Sequence, residues 1–446
     1  MIKRLFLLWV FKIAFFASIQ PPSWVVSQTT HAFASYVASD YSNGSQIVLL
    51  APDLMAIEYV EMPIEPDWNT PARVLLSPNG EWIAYATSLE QDATRTLTRI
   101  RILNLRSNDF IDVPSGNGYL RSLAWSTDSD YLLFEQLRQM NEADIFLYNV
   151  NSNTTSQLTN QGIFWDSLAW SPNNEQIAVA SIGMLQIIDV PSGQIETTVN
   201  FEDLNWLLSW IAWYNTNLQW SPDGRYISFV KGFAPTYVAD RASEVFLWDV
   251  QEQALRQVTD FVSPVFRERG EGIAPVTYTT QWYDEDTLLI GVTYLVEVEV
   301  AITGTYRYEV GEQTLTQIAD LQMDDAAINP ATNEVVVHLS ISDITGQSAA
   351  EIQAVENVET FRVGPEGNLE AQTTAYSNNL PNGCRFFWSN DGSWLAYQPR
   401  KFECPYTGSD GFIFVNTVTG ELREFAPVLP DGAQPVVVTP LGWVQR

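Results

Sequence analysis

Histidine, cysteine and positive charge are all scarce in this chain. Its 446 residues include two His (His31 and His338), two Cys and 23 Lys plus Arg, against 53 Asp plus Glu, for a formal net charge of −30. Two imidazoles leave little material for a zinc site or a histidine-dependent catalytic triad. The shortage of basic residues argues against a nucleic-acid partner, whose phosphate backbone is bound by Lys and Arg that displace counterions. Charged residues make up only 17% of the chain, so the acidity comes from missing bases rather than from unusual charge density. With 46% hydrophobic and 13% aromatic residues, a packed core is expected and a disordered chain is not.

A long apolar run occurs at the start and none follows it. Residues 1 to 20 place Lys3 and Arg4 ahead of an apolar stretch broken by Lys12, and no acidic residue precedes Asp40. That is the pattern of a secretory signal peptide, and the stretch is shorter than the roughly 20 residues that span a bilayer. Residues 1–27 are therefore predicted to be an export segment and 28–446 the mature domain, with cleavage after Ser27 in Val25-Val26-Ser27. Ala32-Phe33-Ala34 offers an alternative that would cut into the first predicted strand, and an uncleaved anchor is the other alternative. Loss of Lys3, Arg4 and Lys12 would take the net charge to about −33. The expected location is periplasmic or secreted, with no transmembrane domain. Cys384 and Cys404 lie within one repeat unit and, in an oxidising compartment, are expected to form a disulfide rather than a metal site.

Self-similarity runs through the rest of the chain. Leu-Leu-Ser-Pro-Asn-Gly-Glu-Trp-Ile-Ala-Tyr from Leu75 recurs in related form from Leu123, Leu168, Leu218 and Phe386, with degenerate copies at Gln281 to Glu285 and Ala327 to Pro330. An apolar strand ends at Trp, a Ser-Pro-Asp-Gly turn supplies fixed and positive φ, and a second apolar strand returns. A second hairpin follows each of these seven copies, around Ile102, Phe146, Ile187, Phe246, Tyr306, Phe361 and Phe414, and an eighth lies around Ile47, ahead of them all. Paired hairpins at a period of roughly 40 to 60 residues predict an all-β fold, a β-propeller of four-stranded antiparallel blades. Eight blades are predicted, with seven as the alternative because the copies near Trp282 and Ile328 are weak. The unit from Tyr36 to Val60 lacks an opening strand, and Pro440-Leu441-Gly442-Trp443-Val444 matches one. The C-terminal strand is thus expected to join the N-terminal blade and close the ring.

The Trp-Ser-Pro-Asp-Gly-x-x-Ile-x-Phe pattern from Trp220 to Phe229 resembles the repeat of the TolB-like and PD40 (WD40-like) propellers of exported bacterial proteins. The resemblance covers essentially residues 32 to 446 and implies a fold, not an activity. Related propellers precede the hydrolase domain of prolyl oligopeptidase-type enzymes. Here the nearest approach to a nucleophile elbow, Gly346-Gln347-Ser348-Ala349-Ala350, lacks the second Gly and has no His downstream. Ser389 to Trp394 also resembles the Asp-box of sialidases, itself a structural turn.

Among candidate residues, Trp125, Trp170, Trp220, Trp282 and Trp388 read as packing between blades. Asp128, Asp223 and Asp391 read as turn formers rather than acids. Long connections at 202–217, 232–243, 261–279, 375–383 and 400–410 all fall at one face, which is the expected binding face. Trp206, Trp210, Trp213 and Tyr214 form either a capping helix or an aromatic platform for a sugar or protein. Arg267 and Arg269 either pair with Glu268 and Glu271 or recognise an anion. With Arg400, Lys401 and Tyr406, these residues complete the candidate binding set; no catalytic or metal-ligating set is identified. The expectation is a monomeric, non-catalytic module that binds a protein or glycan partner and needs no cofactor. The alternative is a lyase or glycoside-processing enzyme with carboxylates at the channel mouth and Ca²⁺ among its oxygen ligands.

Overall fold

The computed structural model describes residues 31–38, 46–53, 56–62, 74–91, 96–115, 119–139, 142–160, 165–181, 184–200, 218–233, 242–261, 274–296, 300–319, 322–340, 357–363, 369–371, 380–381, 383–399, 411–426 and 437–445. Regular structure among them is entirely β. The first sheet contains β1 (His31–Ala38), β2 (Gln46–Ala51) and β3 (Ala56–Glu61). The second contains β4 (Leu75–Leu76), β5 (Trp82–Gln91), β6 (Thr96–Asn104) and β7 (Phe110–Asp112), and the third β8 (Tyr119–Trp125), β9 (Tyr131–Gln139), β10 (Glu142–Asn149) and β11 (Thr154–Gln157). The fourth has β12 (Trp165–Trp170), β13 (Gln176–Ser181), β14 (Met184–Asp189) and β15 (Ile195–Asn200). The fifth has β16 (Gln219–Trp220), β17 (Tyr226–Phe233), β18 (Ala242–Asp249) and β19 (Ala254–Gln257). The sixth is β20 (Ala274–Trp282), β21 (Thr287–Val296), β22 (Val300–Glu309) and β23 (Thr314–Ala319). The seventh is β24 (Gln322–Ile328), β25 (Val335–Ser340), β26 (Asn357–Val363) and β27 (Leu369–Ala371). The eighth is β28 (Gly383–Trp388), β29 (Trp394–Pro399), β30 (Phe412–Asn416) and β31 (Leu422–Phe425). The last strand, β32 (Val437–Gln445), returns to the first sheet, whose order is β3-β2-β1-β32.

Every sheet is a four-stranded antiparallel meander, and opening strands of neighbouring sheets meet, as β8 meets β12, β24 meets β28, and β28 meets β32. No backbone ladder joins one sheet to the next among the described residues. The order of the sheets is held by side chains instead. The apolar core is a succession of layers, each filling one inter-sheet seam: Ala84, Ile102, Leu132 and Phe134 between the second and third sheets, Leu133, Ile145, Trp170 and Ile177 between the third and fourth. One such layer, with Phe33, Val48, Trp394, Phe412, Phe414 and Trp443, lies between the eighth sheet and the first. This follows from alternation: both faces of each blade meet a neighbour, so strand residues of either parity are apolar. Outer strands, with a neighbour on one edge only, alternate exposed and half-buried, as in Phe110–Asp112 and Leu422–Phe425.

The first blade is completed by both ends of the chain. β1 pairs β2 on one side, with Phe33 opposite Leu50, and β32 on the other, with Phe33 opposite Trp443 and Val37 opposite Val438. Mixing the termini in one sheet covers two strand edges that would otherwise be free.

Candidate functional site

The recurring turns are built by one hydrogen-bond scheme. In the fifth sheet the Ser221 hydroxyl donates to Asp223 Oδ1 at 2.5 Å and accepts the Tyr226 N–H at 2.9 Å, while Asp223 Oδ1 also accepts the Arg225 N–H at 3.0 Å. Gly224 takes φ of 73°. The third sheet repeats this with Ser126, Asp128, Asp130 and Tyr131, and the eighth with Ser389, Asp391, Ser393 and Trp394. The carboxylates and amides of the signature are thus consumed as acceptors of their own turns, as their Asx chemistry predicts. Turns also bond to one another across seams: the Thr127 N–H reaches Asn174 Oδ1 at 2.8 Å, the Asn79 N–H reaches Ser129 Oγ at 3.0 Å, and Asn329 Nδ2 donates to the Gly392 carbonyl at 3.1 Å.

The tryptophan before each turn crosses a seam. Nε1 of Trp125, Trp170, Trp220, Trp388 and Trp443 donates to the carbonyl oxygen of Leu75, Ala124, Ala169, Ala327 and Phe387, at 3.3, 3.2, 3.1, 3.2 and 2.8 Å. Trp282 Nε1 donates to Ser228 Oγ at 3.1 Å. These indoles are structural, as their place in the repeat implies. Leu76 and Ile328 hold the equivalent position at the other two seams and have no indole N–H to donate.

His31 and Asp391 meet at the seam of the first and eighth sheets, with His31 Nε2 3.0 Å from Asp391 Oδ2. Burial opposes ionisation of Asp391, but the Ser393 N–H, the Ser389 and Ser393 hydroxyls and His31 together hold its pKa down at about 2. Ser393 Oγ donates to this carboxylate at 2.8 Å. A nucleophilic triad requires imidazole between hydroxyl and carboxylate; here the carboxylate stands in the middle, so His31 has no serine proton to accept. Sequence reasoning missed this cluster, whose partners sit at opposite ends of the chain.

On the same face, an open groove crosses the third to sixth sheets at their opening strands, lined by Thr127, Pro172, Pro222, Gln219, Gln281, Trp170, Trp220 and Trp282. Its only sequence signal is the recurrence of Trp-Ser-Pro at Trp170 and Trp220. Among the described residues, no group of three or more His, Cys, Asp and Glu is placed to hold a metal ion, and no helix is long and apolar enough to cross a membrane.

The binding set selected from sequence, Trp206, Trp210, Trp213, Tyr214, Arg267, Arg269, Arg400, Lys401 and Tyr406, lies outside the described residues, as does Cys404. Their flanking strands are described, however. The connections β15 to β16, β19 to β20 and β29 to β30 all leave the sheets at the end opposite the Ser-Pro turns, because the strands alternate in direction. Cys384 is buried in β28 and holds no free thiol.

Comparison with known proteins bears on the fold. The model of the family described as eukaryotic translation initiation factor eIF2A matches residues 76–253, from the end of β4 to the turn before β19. The fold is a WD40-like β-propeller. No curated protein sequence matches this propeller. Its structure is similar to that of dihydro-heme d1 dehydrogenase NirN, at a TM-score of 0.53 and 12% identity, over 93% of this chain and 75% of that one. A eukaryotic initiation factor aligns at a TM-score of 0.49 and 14% identity, over 94% of this chain and 98% of that one. The propeller domain of the trilobed protease from Pyrococcus furiosus aligns at 0.44 and 12%, over 81% and 97%. A propeller fold by itself names no activity.

Proposed function

We propose that this WD40-like propeller is an exported, monomeric, non-catalytic scaffold of the TolB-like or PD40 kind that binds a protein or a glycan through its long-connection face. One observation carries the reading: the repeated polar residues at the opposite face are spent on their own turns and on neighbouring turns, as Asp223 on Ser221 and Arg225, and Asn174 on Thr127. That end of the barrel of blades is architecture. Recognition falls to the connections that escape the repeat, which carry the aromatic residues Trp206, Trp210, Trp213 and Tyr214 and four of the scarce basic residues, Arg267, Arg269, Arg400 and Lys401. Aromatic and Arg side chains are the types that anchor interfaces. The apolar leader of residues 1–27 and a disulfide between Cys384 and Cys404 suit an oxidising destination outside the cytoplasm.

The test is quantitative binding by wild type and a Trp210→Ala, Trp213→Ala variant to crosslinked envelope proteins and to an immobilised glycan panel. A partner lost by the variant, with thermal unfolding unchanged, supports the reading. Identical binding by both proteins would remove that segment from the recognition surface.

A further inference from the structure

We propose that Arg99 and Arg101 of β6 bind the carboxylate group of a ligand at the seam of the first and second sheets; the proposal does not depend on which face recognises the partner discussed above. Arg101 lies opposite Tyr85 of β5 on one side and Asp112 of β7 on the other. Tyr85 and Leu103 belong to the apolar layer that the second sheet shares with Ile47 and Val60 of the first. Alternation along β6 puts Arg99, Arg101 and Leu103 on that same side. Arg101 is 5% exposed. Its Nε–H donates to Asp112 Oδ1 at 2.7 Å, and its guanidinium carbon lies 4.3 Å from the centre of the Phe110 ring. Its Nη1 is buried and has no hydrogen-bond partner.

A buried donor on a charged group carries a desolvation penalty that an acceptor relieves. The charge balance calls for the same acceptor. Arg99 Nη1 donates to Asp112 Oδ2 at 3.3 Å, so two guanidiniums share one carboxylate. Elsewhere acids match bases: Arg225 and Arg256 have Asp249 and Glu252 between them, and Arg423 has Glu421. The hydrogen bond from Arg101 is the main cause that lowers the Asp112 pKa, against the opposing effect of burial. Asp112 therefore stays ionised, and the surplus of two Arg over one Asp is a single positive charge. One further negative charge neutralises it, and the planar fork of a guanidinium matches the two oxygens of a carboxylate. The Arg99 side chain is 39% exposed and Phe110 47% exposed, so the buried Arg101 sits behind an open rim. The longer of the two contacts to Asp112 belongs to Arg99, which leaves its guanidinium able to turn toward the ligand.

Saturation-transfer NMR on the full chain tests this with acetate as the minimal probe, glucuronate and N-acetylglycine as probes that add a sugar ring or a peptide group, and acetamide as the neutral control. Transfer to at least one acid probe and none to acetamide is the expected result. Affinity should fall about tenfold or more in Arg99→Gln and in Arg101→Gln, the loss that follows from one charge-assisted hydrogen bond. The preferred probe tells a free carboxylate, an acidic sugar and a peptide terminus apart. Should Arg101→Gln fail to fold, Arg99→Gln, at the exposed position, carries the test, with thermal unfolding as the check on its fold. Silence from every acid probe, equal transfer to acetamide, or full affinity in a folded Arg99→Gln would overturn the proposal.

Discussion

The indole N–H of Trp443 donates to the backbone carbonyl of Phe387 at 2.8 Å, so the last strand of the chain is tied to the opening strand of the eighth sheet just as Trp220 is tied to Ala169 in mid-chain. The C-terminal strand therefore occupies the opening-strand position of a blade whose other three strands come from the N-terminus. Trp443 is also packed against Phe33 and Phe414. Trp443→Phe should cost about 1 kcal/mol through the lost hydrogen bond, and Trp443→Ala about 3–5 kcal/mol through the cavity as well. Equilibrium denaturation of the two variants separates these contributions.

Where the indole is missing, backbone contact does its work. At the seam of the sixth and seventh sheets, with Ile328 in place of Trp, Gly291 lies so close to Met323 that an added Cβ would overlap the Met323 carbonyl. Gly291→Ala should lower stability by about 1–3 kcal/mol, the usual range for overpacking. Gly311→Ala is the control, since nothing lies within 4 Å of its added Cβ. Similar unfolding midpoints for both variants would contradict the close approach.

Gln253 sits in the turn of the fifth sheet at φ of 51° without glycine's freedom. Gln253→Gly should relieve left-handed strain and raise stability by a few tenths to about 1 kcal/mol, after the entropy that glycine costs. Calorimetry gives the sign directly.

Acid dependence should report on Asp391. Its folded pKa is depressed from 3.8 to about 2, so its contribution is present above the unfolded value and is lost as pH falls through the folded one. Asp391→Asn should flatten the stability profile between about pH 4 and 2 relative to wild type. Because the side chain is 53% exposed, solvent screening keeps the effect small. An unchanged acid limb would show that the hydrogen bonds to Ser389 and Ser393 do not favour the carboxylate.

The disulfide predicted from the sequence should leave no thiol available to alkylation before reduction. Reduction, or Cys404→Ser, should cost on the order of 3 kcal/mol, the scale for closing a loop of about twenty residues. Alkylation of the unreduced, unfolded chain followed by mass measurement checks the pairing.

The blades were legible in the sequence because their signature is local. Ser221, Asp223 and Gly224 each have a place in one turn, and their hydrogen bonds span five residues at most. The seam role of Trp220 was legible for the same reason, since a bulky apolar residue recurring once per blade must meet the next blade. Degenerate copies were harder because the chemistry was redistributed: Asn329 accepts the N–H groups of Ala331 and Thr332, with no Ser before it. The pair His31 and Asp391 was invisible, because only closure of the ring brings the two together. Trp206, Trp210 and Arg267 escape the repeat altogether, and a pattern that does not recur carries no geometric prediction.

The division of labour between repeat and connections is tested most directly by measuring thermal unfolding and partner binding on the same two proteins, Trp220→Ala and the double variant Trp210→Ala, Trp213→Ala. Trp220→Ala should unfold at a clearly lower temperature and, below that temperature, bind as wild type does. The double variant should unfold with wild type and lose its partner. Full binding by the double variant, or wild-type stability in Trp220→Ala, would contradict the assignment of recognition to the long-connection face and of architecture to the repeat.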